Sequence, residues 1–137
     1  MDAVVDTNVF VYRAIKNSEY HEESRNLLKS VPKWIVPTIV IHEVVWVLQE
    51  LLGREKALTY VKALISHRKT EIISVTKQDI SNALRRIEDE NISLLRYNDK
   101  LIISITKRIN AALLSFDKQL LTQATKQGIP IINPYKC

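Results

Sequence analysis

Five short runs in this 137-residue chain are almost wholly apolar, and helical patterns fill the intervals between them. The runs are Ala3-Val4-Val5, Trp34-Ile35-Val36, Ile72-Ile73-Ser74-Val75, Ala111 to Phe116 and Ile129 to Ile132. A strand that is apolar on both sides must be covered on both faces. Strands of that kind, alternating with helical stretches of about 10 to 15 residues, form βαβ units and a parallel sheet. The expected fold is a three-layer α/β/α sandwich with a central, mainly parallel sheet. It should contain about five strands and form one domain over residues 1–137.

The helical segments have readable ends. Tyr20, Glu23, Leu27 and Leu28 suggest a modest helix after Asn17-Ser18. Pro37 stops the second strand, and Thr38 can cap a long helix to about Leu52, with Gly53 suited to the left-handed backbone just past it. Arg54 to His67 reads as a helix with Leu58, Val61, Leu64 and Ile65 on one face. Thr76 and Asp79 have capping-box spacing ahead of Ile80, Ala83, Leu84 and Ile87. Asn98 can cap a helix carrying Ile102, Ile105 and Ile109. Asp117 to Gln127 is expected to be helical up to Gly128.

Composition excludes several function classes. The only glycines are Gly53 and Gly128, too few for a glycine-rich phosphate loop. The single cysteine, Cys137, rules out a disulfide framework or a cysteine-built zinc site, and fits a reducing compartment. His21, His42 and His67 have no zinc-binding spacing. The most apolar stretch, Trp34 to Leu52, is broken by His42, Glu43 and Glu50, so no membrane span is expected. Met1-Asp2 lacks the positive start of a signal peptide, and the expected location is cytoplasmic.

Open parallel sheets bind ligands beyond the carboxyl ends of their strands. Asp6 and Asp117 end the first and fourth runs, Glu43 lies about one turn into a helix, and Asp99 begins another. Asp6, Asp99 and Asp117 could each be a helix cap or a first-turn acid favoured by the helix dipole. Glu43 is harder to place on a surface, because Val40, Ile41, Val44, Val45, Val47 and Leu48 surround it. Four converging carboxylates would repel one another and raise their own pKa values unless a cation joined them. An all-oxygen set suits Mg²⁺ or Mn²⁺ better than zinc.

Val4-Val5-Asp6-Thr7-Asn8-Val9 resembles the opening signature of PIN-domain ribonucleases, in particular VapC-type toxins. Pro37-Thr38 to Glu43-Val44, Tyr97 to Ile102 and Ala112 to Lys118 are similar to the second, third and fourth signatures. Ile129 to Pro134 is similar to the closing strand. Ser115 stands where Thr is commoner. The resemblance implies a metal-dependent endoribonuclease that leaves 5′-phosphate and 3′-hydroxyl ends. It implies Asp6 and Asp99 as direct metal ligands, Asp117 as a further ligand directly or through water, and Glu43 as the group that positions or deprotonates the attacking water, with contact to the metal left open. Asn8 and Ser115 would orient these carboxylates or hold water, set against the simpler readings of a turn residue after the strand and a strand hydroxyl bonded to backbone. It also implies a homodimer and an antitoxin partner.

Net charge is +5, and setting aside the four acids leaves 20 basic against 11 acidic residues, or +9 elsewhere. That suits a polyanion tracking toward an acidic pocket. Arg13, Arg85, Arg86, Arg96, Lys107 and Arg108 are candidate phosphate contacts, set against the simpler reading of solvated helix faces. Trp34, Trp46 and Tyr60 read as core or dimer contacts, His42 as structural, and Glu88-Asp89-Glu90 as a solvated helix end. Two alternatives stay open: a PIN nuclease of RNA maturation or quality control, and a catalytically silent acidic-pocket module. A phosphoacceptor receiver domain fits poorly, because Thr76-Lys77 follow the third run where an acceptor Asp is needed.

Overall fold

The computed structural model describes residues 1–135. Its central strand is β1 (Ala3–Val5), flanked by β2 (Trp34–Pro37) and β4 (Ala112–Leu114), with β3 (Thr70–Ile73) and β5 (Ile131–Ile132) at the edges. The order β3-β2-β1-β4-β5 is parallel at every pairing. The helices are α1 (Thr7–Ala14), α2 (His21–Ser30), α3 (Thr38–Leu52), α4 (Arg54–Ser66), α5 (Lys77–Glu90), α6 (Tyr97–Ile109) and α7 (Lys118–Lys126). Right-handed crossovers put α1 to α4 on one face of the sheet and α5 to α7 on the other. Contacts of α1 with α2 and α3, of α3 with α4, and of α6 with α5 and α7 follow that division. The expected three-layer, five-stranded parallel architecture is the one observed. No helix is long and apolar enough to cross a membrane among the described residues, and Cys137 lies outside those residues.

Burial explains the apolar runs. All three residues of β1 are fully buried, and β4 is nearly so. Val9 and Phe10 of α1, Val40, Val44 and Leu48 of α3, and Leu120 and Ala124 of α7 complete the same core.

Several boundaries differ from expectation. β3 begins two residues early and ends at Ile73, because its one partner, β2, ends at Pro37 opposite Ile73. As an edge strand it leaves Glu71 and Ile72 exposed. Likewise β4 is shorter than Ala111 to Phe116, since it pairs residue for residue with three-residue β1. Thr38 is the first residue of α3 and its hydroxyl accepts from the Val75 amide, so it does not cap the helix. The 3₁₀ turn Leu94–Arg96 leads into α6, which starts at Tyr97, so Asn98 lies inside the helix. On α4 the buried stripe is Ala57 and Leu64 with half-buried Tyr60 and Val61. Leu58 and Ile65 each stand one position past that stripe and are 45% and 46% exposed.

The capping box forms as expected. Thr76 accepts from the Asp79 amide at 3.1 Å, and Asp79 accepts from the Thr76 amide at 2.9 Å. Asp79 also receives a forked pair from Arg108, at 2.8 and 2.9 Å. The guanidinium and the capping hydrogen bonds hold the Asp79 carboxyl below its usual range, although burial works against them. Arg108→Ala should strand a buried carboxylate and cost about 2 kcal/mol, less than a fully buried pair because the guanidinium is one-third exposed. Thermal unfolding at pH 7 checks this, and the cost should shrink on acidification as Asp79 protonates.

Candidate active site

In the order β3-β2-β1-β4-β5, chain progression reverses between β1 and β4, and a crevice opens at their carboxyl ends. Asp6 follows β1 and caps α1, its Oδ1 accepting from the Thr7 amide at 2.8 Å. Asp117 follows β4 and caps α7, accepting from the Gln119 and Leu120 amides at 3.0 and 3.1 Å. The cap reading and the site reading of these two acids therefore coincide. Glu43 projects from the second turn of α3, and Asp99 from the first turn of α6. All four acids line one pocket of about 360 Å³, together with Thr7, Asn8 and Asn98.

Two side chains tie Asp6 to β4. The Ser115 hydroxyl donates to Asp6 Oδ2 at 2.8 Å and accepts from the Asp117 amide at 2.9 Å. The Asn8 amide donates to Asp6 Oδ2 at 3.3 Å, while its oxygen accepts from the Phe116 amide at 3.0 Å. Glu43 is held at both oxygens. The Thr7 hydroxyl donates to Oε1 at 2.7 Å and the Asn98 amide to Oε2 at 2.6 Å. The sequence reading missed Thr7 and Asn98 as Glu43 partners; their one signal is that each adjoins a site acid.

Electrostatics follow from this crowding. Burial pushes the Asp6 carboxyl up to about 6, against the Ser115 and Thr7 hydrogen bonds and with help from Glu43 and Asp117. Asp99 is also raised, first by burial and then by Asp117, with Arg96 and Lys100 opposing. Arg96 reaches Asp99 Oδ2 from two nitrogens at 3.4 Å. Among the described residues no three acidic, histidine or cysteine side chains form a ready-made cage for an ion. The acids line a shared pocket and would have to close on a ligand.

The other basic candidates are spread out. Arg108 is committed to Asp79 and to the Ser74 carbonyl. Arg86 is half-buried, Arg85 and Lys107 are exposed, and Arg13 lines a separate pocket. Trp34 sits in the core with its indole N–H on the Leu28 carbonyl, and the Tyr60 hydroxyl donates to the Phe10 carbonyl. Trp46 is 62% exposed and stacks with His42, so His42 faces solvent and not the pocket. Glu90 is not simply solvated, since it accepts from buried Lys100 at 2.7 Å.

The PIN domain family matches residues 3–126 of this chain. No curated protein matches it. Among solved structures, Mycobacterium tuberculosis VapC20, described as a sarcin-ricin loop cleaving toxin, aligns with a TM-score of 0.77 at 17% identity. The alignment covers 88% of this chain and 94% of that one. VapBC2 from Rickettsia felis, bound to a promoter DNA fragment, aligns at 0.71 and 19% identity, over 97% and 98% of the two chains. A toxin–antitoxin complex from Klebsiella pneumoniae aligns at 0.68 and 14% identity, over 98% and 99%.

Proposed function

The chain belongs to the PIN domain family, and from that premise we propose that it is a metal-dependent endoribonuclease, the toxin of a toxin–antitoxin pair. The observation that carries the reading is the gathering of Asp6, Glu43, Asp99 and Asp117 in one pocket at the switch point of the sheet. Similarity in fold to a loop-cleaving toxin and to a toxin–antitoxin complex favours RNA as substrate and an antitoxin as partner. The protein acts as one PIN domain, as a homodimer in the cytoplasm.

The chemistry of the donor set suits Mg²⁺ or Mn²⁺, around which the acids would draw together. Its donors are carboxylate oxygens, and Asp6 and Asp99 are both raised by burial and by neighbouring acids, a conflict that a hard divalent cation relieves. Such an ion supplies charge to offset the phosphodiester and acidity to the attacking water. Asp6 and Asp99 would hold it directly, and Asp117 directly or through water. Glu43, fixed at both oxygens, orients the attacking water and takes its proton. Ser115 and Asn8 keep Asp6 aimed into the pocket. Cleavage leaves 5′-phosphate and 3′-hydroxyl ends. Arg96, beside Asp99, is the basic candidate placed to meet the substrate phosphate.

An RNA cleavage assay with each acid amidated tests the reading; unchanged cleavage by both Asp6→Asn and Asp99→Asn would reject it. Asn98→Ala frees one oxygen of Glu43 and should lower kcat about 10- to 100-fold with little change in KM. An equal loss in Thr7→Ala would show that both tethers matter.

A further inference from the structure

A second pocket, of about 560 Å³, lies at the opposite end of the sheet from the four acids. Trp34 opens β2 and Lys69 directly precedes β3, so this pocket borders the amino ends of the strands. Arg13, Arg25, Lys29, Arg68 and Lys69 line it, and no acid does. Lys69 is occupied, donating to the carbonyls of Leu28, Lys29 and Val31 at the end of α2. Arg25 has Glu22 at 3.8 Å. Arg13, Lys29 and Arg68 have no carboxylate within 4 Å among the described residues.

An aromatic stack adjoins these cations. The exposed ring of His67 lies on Trp34 with centroids 4.2 Å apart and planes 23° from parallel. Unpaired guanidinium groups beside a stacked ring form the pairing that binds single-stranded nucleic acid, with cations on phosphates and a ring for a base. The two guanidinium forks would take a phosphate or a carboxylate alike, and it is the stacked ring, which an acidic peptide has no base to meet, that favours RNA. The link to the acid pocket is α1, whose first residue follows Asp6 and whose seventh is Arg13. Its eight residues span about 12 Å, a few nucleotides of strand.

We propose that the pocket of Arg13, Lys29, Arg68 and His67 is an anchoring subsite for the RNA strand, a few nucleotides from the scissile bond. This rests on the nuclease reading and extends it. Four carboxylates repel the backbone they cut, so the strand needs cations outside the acid pocket. Here three unpaired ones stand together with a ring.

The test is binding of a labelled single-stranded oligoribonucleotide in EDTA, where cleavage is off. Arg13→Ala/Arg68→Ala should weaken binding about tenfold at low salt and reduce the slope of log K against log salt by about 1.4. Lys77→Ala/Lys126→Ala, with the same charge change on α5 and α7, should move neither quantity comparably. In a Trp46→Phe background Trp34 is the one remaining tryptophan, and its emission should respond to RNA only while both arginines are present. If the two double variants weaken equally, or a polyglutamate peptide displaces the RNA at matched charge, the subsite is overturned. If the unaltered protein binds no single-stranded RNA in EDTA the subsite is overturned, and if it also cleaves none in Mn²⁺ the nuclease reading itself falls.

Discussion

Asp6→Asn and Asp99→Asn should each lower Mn²⁺-dependent RNA cleavage by about 10³-fold or more, with the fold intact. Each removes an anion from a pocket whose other acids depend on an added cation. Neither residue contributes to the apolar core. Metal-free stability should move in the opposite direction to activity. Asp6 has an ordinary value of 3.8 and a folded value of about 6. The folded state thus binds this proton more tightly than the unfolded chain does. The stability it contributes is fully present below about pH 4 and is lost as pH rises through about 6. At pH 7 the ionised carboxylate therefore works against the fold.

Asparagine at position 6 keeps the oxygen that accepts from Thr7, but its amide nitrogen donates where Asp6 Oδ2 accepted, so the Ser115 hydroxyl must turn its hydrogen away and the Asn8 amide must rearrange. Any fixed cost of that exchange does not depend on pH. The melting temperature of Asp6→Asn minus that of the unaltered protein, without metal, should rise between pH 4 and pH 7. The span corresponds to about 2 kcal/mol, allowing for the pocket edge open to water, or roughly 7 °C. Asp79 works in the opposite sense, because its value is lowered, but it is common to both proteins and cancels in the difference. A difference that stays flat across that range would show that Asp6 is not held as described.

The sequence exposes whatever is local or periodic. Val4 and Leu113 read as buried strand because they are flanked by apolar residues, and both are fully buried on the sheet's middle strands. Thr76 and Asp79 show their capping box within three residues. Acids at strand ends could be collected because a parallel sheet makes those ends neighbours. The missed features depend on distant residues or weak local signals. Thr7 and Asn98 meet Glu43 from 36 and 55 positions away, and no spacing rule reports that. Arg108 looks like any exposed helix cation until Asp79, 29 positions away, is seen to hold it. Helix α1 carried little signal because its β-branched Val9 and Val11 are indifferent helix formers, and its start rests on the Asp6 cap. β3 was displaced because an edge strand ends where its partner does, and Pro37 is not visible from Ile73 in the sequence.

Metal removal should separate the roles of the acids. In EDTA cleavage should fall to background, and Mn²⁺ or Mg²⁺ should restore it. An ion that binds only the folded state also stabilises it, by about 2.7 kcal/mol at one hundred times its dissociation constant. Mn²⁺ should therefore raise the melting temperature of the unaltered protein, and Asp6→Asn and Asp99→Asn should lose most of that rise. Glu43→Gln should keep most of it while cleavage is lost, because glutamine can still accept from Asn98 and meet the Thr7 hydroxyl but cannot take a proton from water. That pattern divides ion binding from water activation within one pocket. Cleavage that persists in chelator, or an unaltered protein whose melting temperature ignores Mn²⁺, would remove the ion from the mechanism. A Glu43→Gln variant that loses the Mn²⁺ response as fully as Asp99→Asn would make Glu43 a ligand first, and the base would have to be sought elsewhere in the pocket.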